Sequence, residues 1–406
     1  MNIVKLRTVK STILVSFLTM LFFNGCDVYS PNNLSSHYNG YALMSINDFQ
    51  SFSIAGSSDH ALFIDNNNNL YSWGNNWHGR LGDGTTTDRN YLLQVMTNVV
   101  SVCSVDDHTL ALTSDGEVWA WGHNDVGQLG DGTRQTRHEP VFIMDNVVSI
   151  LTSHWTSFAI RNDGSLWGWG YNRFGQLGNN TTNEQLRPIR LMNNVAMVSA
   201  FHHTTMVICN DNILWGWGII DFENAIGSNV QMQLEPIVLM YDVFYVSVGS
   251  SHIAVIKMDN SLWTWGWNLF GQLGDGTTTE HFYPQYIMSD VVNVVAGARN
   301  TMIIKKDGSL WGWGSNVDYR LGIDSTEELI LTPVHIKDDV IVVMDLIDMA
   351  HALTSDGILW SWGHVLSPLL PYEFIQMLDG QRVLPVINQV PVRIVYNILI
   401  PNRILE

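Results

Sequence analysis

The dipeptide Trp-Gly recurs at Trp73, Trp121, Trp169, Trp217, Trp265, Trp313 and Trp362, in steps of 48 residues with one final step of 49. A fixed period of this length over most of a chain means that one supersecondary unit is repeated, and it must be read before any single motif. An aromatic residue stands two positions before each of these tryptophans: Tyr71, Trp119, Trp167, Trp215, Trp263, Trp311 and Trp360. A leucine or valine stands three before: Leu70, Val118, Leu166, Leu214, Leu262, Leu310 and Leu359. The two aromatic columns absorb all but three (Trp77, Trp155 and Trp267) of the 16 tryptophans. Side chains two apart on a strand share a side, so the spacing predicts a strand with an aromatic face.

Five residues before each key Trp the repeat turns. The pairs are Asn67-Asn68, Asp115-Gly116, Asp163-Gly164, Asp211-Asn212, Asp259-Asn260, Asp307-Gly308 and Asp356-Gly357. Such pairs tolerate positive φ and predict two-residue hairpin turns. "DNNNNL" at 65–70 is no calcium loop, because Leu70 stands where that loop needs glycine. Apolar stretches such as "VVSVCSV" at 99–105 and "VVNVVAG" at 291–297 predict a further strand before each turn. Pro140, Pro188, Pro236, Pro284 and Pro333 open an outer strand, where proline is tolerated. Four short strands per unit predict one small antiparallel sheet. Seven units predict an all-β, seven-bladed β-propeller over 47–406. A helical solenoid is excluded, since no 3.6-residue period appears and the glycines would break helices.

The loop after Trp-Gly carries the most specific phrase. "GQLGDGT" stands at Gly127–Thr133 and Gly271–Thr277, with "GRLGDGT" at Gly79–Thr85 and "GQLGNNT" at Gly175–Thr181. With the preceding W-G-x-N it resembles the repeat of the regulator of chromosome condensation family. The resemblance runs closely from 47 to about 363, loosely beyond, and itself implies a seven-bladed propeller. Two units depart. The fourth, "WGIIDFENAIGSN", lacks the phrase, and the last, 364–406, diverges and carries about ten extra residues before Pro391. Residues 47–55 and the C-terminal strand are expected to close the ring in or beside one blade.

The N-terminus reads as an address. Lys5, Arg7 and Lys10 precede the apolar run "TILVSFLTMLFF" at 12–23, which is followed by Asn24-Gly25-Cys26. A cationic start and an apolar run too short for a comfortable membrane span indicate a secretory signal over 1–26. The stretch resembles a bacterial lipoprotein signal, which implies acylation of Cys26, although Phe23 is bulkier than that pattern prefers. An ordinary signal peptide and an uncleaved anchor remain the alternatives. Residues 27–46, rich in Asn and Ser, suit a polar tether between anchor and domain. The expected location is extracytoplasmic, lipid-anchored to a bacterial membrane or cell surface.

Charge narrows the partners. The formal net charge is −18, with 20 Lys+Arg against 38 Asp+Glu, and no cationic run follows the first ten residues. Phosphate backbones need clustered cations, so nucleic acid is excluded as a partner. The three cysteines, Cys26, Cys103 and Cys209, lack metal-ligand spacing and form no disulfide framework. Cys103 and Cys209 sit in apolar alternating stretches and read as small buried hydrophobes.

No catalytic phrase stands out: G-x-S-x-G, H-E-x-x-H and the phosphate-binding loop are all missing. His60, His108 and His252 share a repeat position that elsewhere holds Thr156, Thr204, Asn300 or Met349. A metal site would not tolerate that exchange, whereas a hydrogen-bonded packing residue would. His202-His203, read as a strand pair, would point to opposite faces. No cofactor, metal or catalytic residue is expected.

Function on a repeat scaffold lives in the loops that break the repeat. The candidates are Trp77, His78 and Arg80; Tyr171, Arg173 and Phe174; Phe222; Trp267 and Phe270; Tyr319 and Arg320. All follow a Trp-Gly, so they should ring one rim, and Trp, Tyr and Arg dominate protein interfaces. The leading expectation is a non-catalytic, monomeric protein-binding propeller outside the cytoplasm. The resemblance, whose secreted members include a β-lactamase inhibitor, sharpens this towards inhibiting or scaffolding an extracytoplasmic protein. It also implies an alternative, guanine-nucleotide exchange on a small GTPase, against which the export signal and the acidity argue. An extracytoplasmic enzyme with its site in the central channel is the third class.

Overall fold

The computed structural model describes residues 28–29, 41–42, 53–56, 60–65, 67–105, 107–220, 232–346, 349–356, 359–363 and 388–394. Each repeat forms one antiparallel sheet of four consecutive strands, and the seven sheets make a seven-bladed β-propeller. In the second blade the order runs Val99–Val105, His108–Thr113, Val118–Gly122, Arg137–Met144 from the inner strand to the outer. The third strand is always the Trp-Gly strand.

The two ends expected to close the ring in or beside one blade stand in different sheets. Ser53–Gly56 belongs to the first sheet and Asn388–Ile394 is the outer strand of the seventh, so the two do not share a sheet. Within the segment read as a tether, Val28 pairs with Val198 and Tyr41 with Ile54. Each pairing adds a short fifth strand at the inner edge of a blade, the fourth and the first respectively.

The hairpins also differ. In the six pairs that the described residues include in full, only the second residue has positive φ: Asn68 62°, Gly116 80°, Gly164 75°, Asn212 62°, Asn260 64° and Gly308 82°. Gly116 N–H donates to Thr113 O at 3.0 Å, and Thr113 N–H donates to Glu117 O at 2.9 Å. These bonds define a three-residue loop, a tight turn closed by one left-handed residue. The Asp ahead of it caps the turn: Asp163 Oδ1 accepts from Ser165 N–H at 2.9 Å, and Asp259 and Asp307 repeat this with Ser261 and Ser309. The carbonyl of the left-handed residue then accepts the first N–H of the next blade, as in Val147 N–H to Gly116 O at 3.0 Å.

The two aromatic columns divide their labour. The first is half-buried on the blade surface: Trp119 meets Phe142 edge-on, Trp263 meets Tyr286, and the Lys337 ammonium lies 3.6 Å from the Trp360 ring. The second, the key Trp, is wholly buried at Trp121, Trp169, Trp217, Trp313 and Trp362. Its indole N–H leaves its own blade. Trp121 donates to Arg80 O, Trp169 to Gln128 O, Trp217 to Gln176 O, Trp313 to Gln272 O and Trp362 to Arg320 O, all at 2.8–3.0 Å. Each acceptor is the second residue of the preceding blade's loop phrase, the Gln of Gly-Gln-Leu-Gly or the Arg that replaces it. A hydroxyl beside the key Trp reinforces most of them: Ser157 on Gln128 O at 2.8 Å, Thr205 on Gln176 O at 2.8 Å and Thr301 on Gln272 O at 2.7 Å.

The shared histidines are packing residues, as expected. His60 bonds Ser104, His108 bonds Ser157 and His252 bonds Thr301, each across to the next blade at 2.8–3.0 Å. Cys209 is a buried free thiol, pushed up to about 11 by burial and then by Asp211. Cys103 is also fully buried.

Two outcomes follow. Gly274 has φ +77°, and an added Cβ would stand 2.5 Å from Trp313 Nε1; at Gly276, φ +86°, the nearest atom would be 3.6 Å away. Gly276→Ala then carries only the left-handed penalty of about 1–2 kcal/mol. Gly274→Ala adds a blade-to-blade clash and should cost roughly 2–4 kcal/mol. Urea midpoints followed by tryptophan fluorescence should fall in that order, and equal midpoints would show that the glycine–Trp contact is not limiting. The second concerns acid. Burial pushes His108 and His252 down to about 3 and His351 to about 4. The unfolded chain takes up protons below about pH 6.5 that these folded-state rings refuse, so stability must fall as pH drops from about 6.5 towards 4. Each ring contributes about 1.4 kcal/mol per pH unit within that window. Thermal melts at pH 7.5, 6 and 4.5 should show a falling midpoint; a flat profile would contradict neutral buried histidines.

Candidate functional site

An up-and-down blade places its first and third connections on one rim. The turn from inner to second strand and the long loop after Trp-Gly therefore lie together. The long loop is held by a residue to which the sequence reading gave no role: the buried Asn of W-G-x-N, at Asn76, Asn124, Asn172, Asn268 and Asn316. Asn268 Oδ1 accepts Leu273 N–H at 2.9 Å, while its Nδ2 donates to Asp275, Thr277 O and Thr279 O at 3.0–3.2 Å. Asn76 and Asn124 make the same set. One amide thus closes both ends of the loop, which explains why Asn, with donor and acceptor on one short stem, holds this place. The phrase's Asp completes the staple. Burial pushes the Asp131 carboxyl up, but bonds from Thr133 and the Arg137 guanidinium outweigh it and hold it below the usual carboxylate range.

On this rigid frame, the loop of one blade meets the turn of the next. Arg80 forms an ion pair with Asp107, Phe174 lies 4.0 Å from the His203 ring, and the Arg299 guanidinium lies 4.6 Å over Phe270. The fullest cluster spans the third and fourth blades. Trp155 meets Tyr171 edge-on at 5.5 Å, Tyr171 meets Phe174 and His203 at 6.2 Å, and His154 lies tilted against His202 at 3.9 Å. Phe201 lies beneath His202 at 4.3 Å. A smaller group joins Trp77, His78 and His123 at 4.3 Å spacings.

The predicted residues separate into three kinds. Trp77, 62% exposed, stands clear, as does Arg173, which pairs with Glu184 at 3.3 Å. His78, Tyr171, Phe174, Phe270 and Tyr319 are half-buried ring contacts or loop residues on the rim, and Trp267 packs against the core. Arg80 and Arg320 are only 4% and 6% exposed, so they offer no accessible charge. They replace the phrase's Gln, their Nε atoms return to Trp77 O and Val317 O at 3.2 and 3.1 Å, and their carbonyls hold the next blade's Trp. Phe222 and Cys26 lie outside the described residues.

His202 and His203 are not a strand pair. They form the turn between Val195–Phe201 and Thr204–Cys209, with His202 at φ 50° and His154 at the same repeat position at φ 48°. That turn register, which also holds Trp155 and Arg299, was the missed part of the surface. Its signal was present: the residues there change from repeat to repeat while the flanking strands do not. Burial, then His154 and His203, push His202 down to about 3; burial, then His154, push His203 down to about 4. His202 and His203 are therefore neutral aromatic rings at pH 7.

The His–Ser and His–Thr pairs that could imitate a base and nucleophile are fully buried, and Ser157 Oγ also donates to Gln128 O. Among the described residues, no group of three His, Cys, Asp or Glu could hold a metal ion. No helix among them is long and apolar enough to cross a membrane.

Comparisons with known proteins agree with this architecture. The model of the RCC1-like domain matches residues 41–288, and that of the regulator of chromosome condensation (RCC1) repeat matches 291–320. No curated protein matches the chain. Among solved structures, human WBSCR16 is 20% identical with a TM-score of 0.63, over 77% of this chain and 89% of its own. Prp20p from Saccharomyces cerevisiae, described with its binding properties to Gsp1p and histones, is 21% identical with a TM-score of 0.65, over 81% and 86%. The structure of Kap60 bound to yeast RCC1 (Prp20) matches at 21% identity and a TM-score of 0.64, over 91% of each chain. At these identities the structures share the fold alone. With the family model covering more than half of its length, the chain belongs to the RCC1-like domain family.

Proposed function

We propose that this chain is a non-catalytic protein-binding propeller, held outside the cytoplasm by a lipid on Cys26. It binds its partner on the rim of turns and Trp-Gly loops, inhibiting or scaffolding an extracytoplasmic protein. The observation that carries the reading is the cluster of Trp155, Tyr171, Phe174 and His203 across the third and fourth blades. Rings packed on a hydrogen-bonded frame lose little freedom on binding, and aromatic anchors of this kind dominate interface energies. The cationic start and apolar run ahead of Cys26 support the location, and the −18 charge speaks against a nucleic-acid partner.

Two measurements test this. Intact mass of the protein from membrane fractions should show a chain beginning at Cys26 and carrying acyl groups, with both features lost in Cys26→Ala. A full-length, unmodified cytosolic chain would overturn the location and make nucleotide exchange on a small GTPase the reading to assay. For the rim, in-cell crosslinking should give an adduct that Tyr171→Ala with Phe174→Ala weakens about tenfold or more, as loss of two anchors predicts. Tyr283→Ala, 77% exposed on an outer strand, should leave it unchanged. The reverse pattern would move the binding surface off this rim.

A further inference from the structure

Six of the seven outer strands carry proline at one register. Pro140, Pro188, Pro236, Pro284, Pro333 and Pro391 each precede the residue that pairs opposite the position before the key Trp, as Val141 pairs with Ala120 and Val392 with Ser361. In the first blade Leu93 makes that pairing, with Ser72, so the register residue is Leu92. Proline has no N–H, and placing it on an edge strand denies an incoming strand its template. Leu92 keeps the donor that the other blades have given up.

The strand it sits on, Arg89–Met96, is the terminal strand of its sheet. Its outer edge therefore has no strand partner among the described residues. Beside it lies an open groove of about 580 Å³, lined by Val95, Met96, Trp119 and Pro140 with Gln94 and Thr97. An added strand would gain backbone bonds from the edge and send alternate side chains towards Val95, Met96 and Trp119 on this mixed floor. No charged residue lines the groove itself, and the charges next to its lining residues are carboxylates. Glu117 accepts from Trp119 Nε1 at 3.2 Å, exposed Glu139 flanks Pro140, and the Arg89 guanidinium is turned away onto Asp83 at 2.5 Å.

We propose that the outer edge of Arg89–Met96 and the Trp119 groove form a strand-addition site for an extended segment of a partner protein, with apolar residues alternating with basic ones. The site is separate from the aromatic rim and does not depend on what that rim binds. A second copy of the chain is the poorer occupant, because it would bring the same carboxylates and the same −18 charge to the contact.

The test uses a labelled octapeptide of alternating lysine and valine, an alternating glutamate–valine peptide, and a lysine–valine peptide with two valines replaced by proline. Fluorescence anisotropy gives affinity, and amide hydrogen exchange reports residues 89–96 against 137–144. The lysine–valine peptide should slow exchange at 89–96 alone and bind about tenfold or more tighter than either other peptide. Leu92→Pro, a substitution that six blades already embody, should remove that protection. Equal binding by the proline-interrupted peptide would overturn strand addition whether or not the Leu92→Pro protein folds. Equal binding by the acidic peptide would overturn the charge assignment. A dimer in sedimentation that Leu92→Pro abolishes would assign the edge to a second copy and overturn the proposal.

Discussion

One hydrogen bond organises this molecule: the indole N–H of Trp121, Trp169, Trp217, Trp313 and Trp362 on a backbone carbonyl of the preceding blade's loop, as in Trp169 on Gln128 O. A four-stranded sheet with two apolar faces cannot stand alone, so blade-to-blade packing is the fold's main source of stability. Burying an indole also buries its N–H, and a lone buried donor costs about 1–3 kcal/mol. The carbonyl answers that need, but only if the loop brings its backbone against the indole. At Gly130 an added Cβ would stand 2.7 Å from Trp169 Nε1. The loop must therefore be glycine where it touches the ring, and the buried Asn must hold the loop's shape. The phrase W-G-x-N…G-Q-L-G-D-G-T is one device, in which every fixed residue serves the contact between neighbours.

Dependence on this device explains what sequence could show. The period and the Trp column recur in seven units and the glycine phrase in most of them, all demanded by the same contact, so they stand out against positions free to vary. Strand order and blade number follow from them. The hairpins were misread because Asp-Gly and Asn-Asn pairs fit more than one loop. The choice of a three-residue turn is made by Asp caps and by the next blade's N–H, which are contacts beyond the pair itself. In the last blade, despite its weak resemblance, Asn388–Ile394 supplies the outer strand from its own repeat, with Pro391 in the place of the other blades' proline.

The rim was half legible. Trp77, Tyr171, Phe174 and Phe270 could be picked out because they interrupt a known phrase. Arg80 and Arg320 interrupt it too, yet they are buried, because a guanidinium on a three-carbon stem can replace glutamine and still return to the loop's own carbonyls. The sequence shows that a position varies without showing which way its side chain leaves. His154, Trp155 and His203 were missed since they belong to a second connection, brought beside the first only by the packing of successive blades.

The same reasoning separates the two surfaces on which this chain can differ from its family. On the rim, variable residues sit on a frame whose bonds are already satisfied, so aromatic rings can change there without disturbing the blade contact. On the circumference the repeat itself is defensive: proline closes one outer strand after another, as any ring of exposed edges requires to remain soluble. A departure from a defensive pattern means more than a departure from a neutral one. Leu92 forgoes protection that six sister strands keep, beside a tryptophan-lined groove. An unguarded edge is a liability unless something occupies it, and that asymmetry is the physical reason to look for a partner there as well as on the rim.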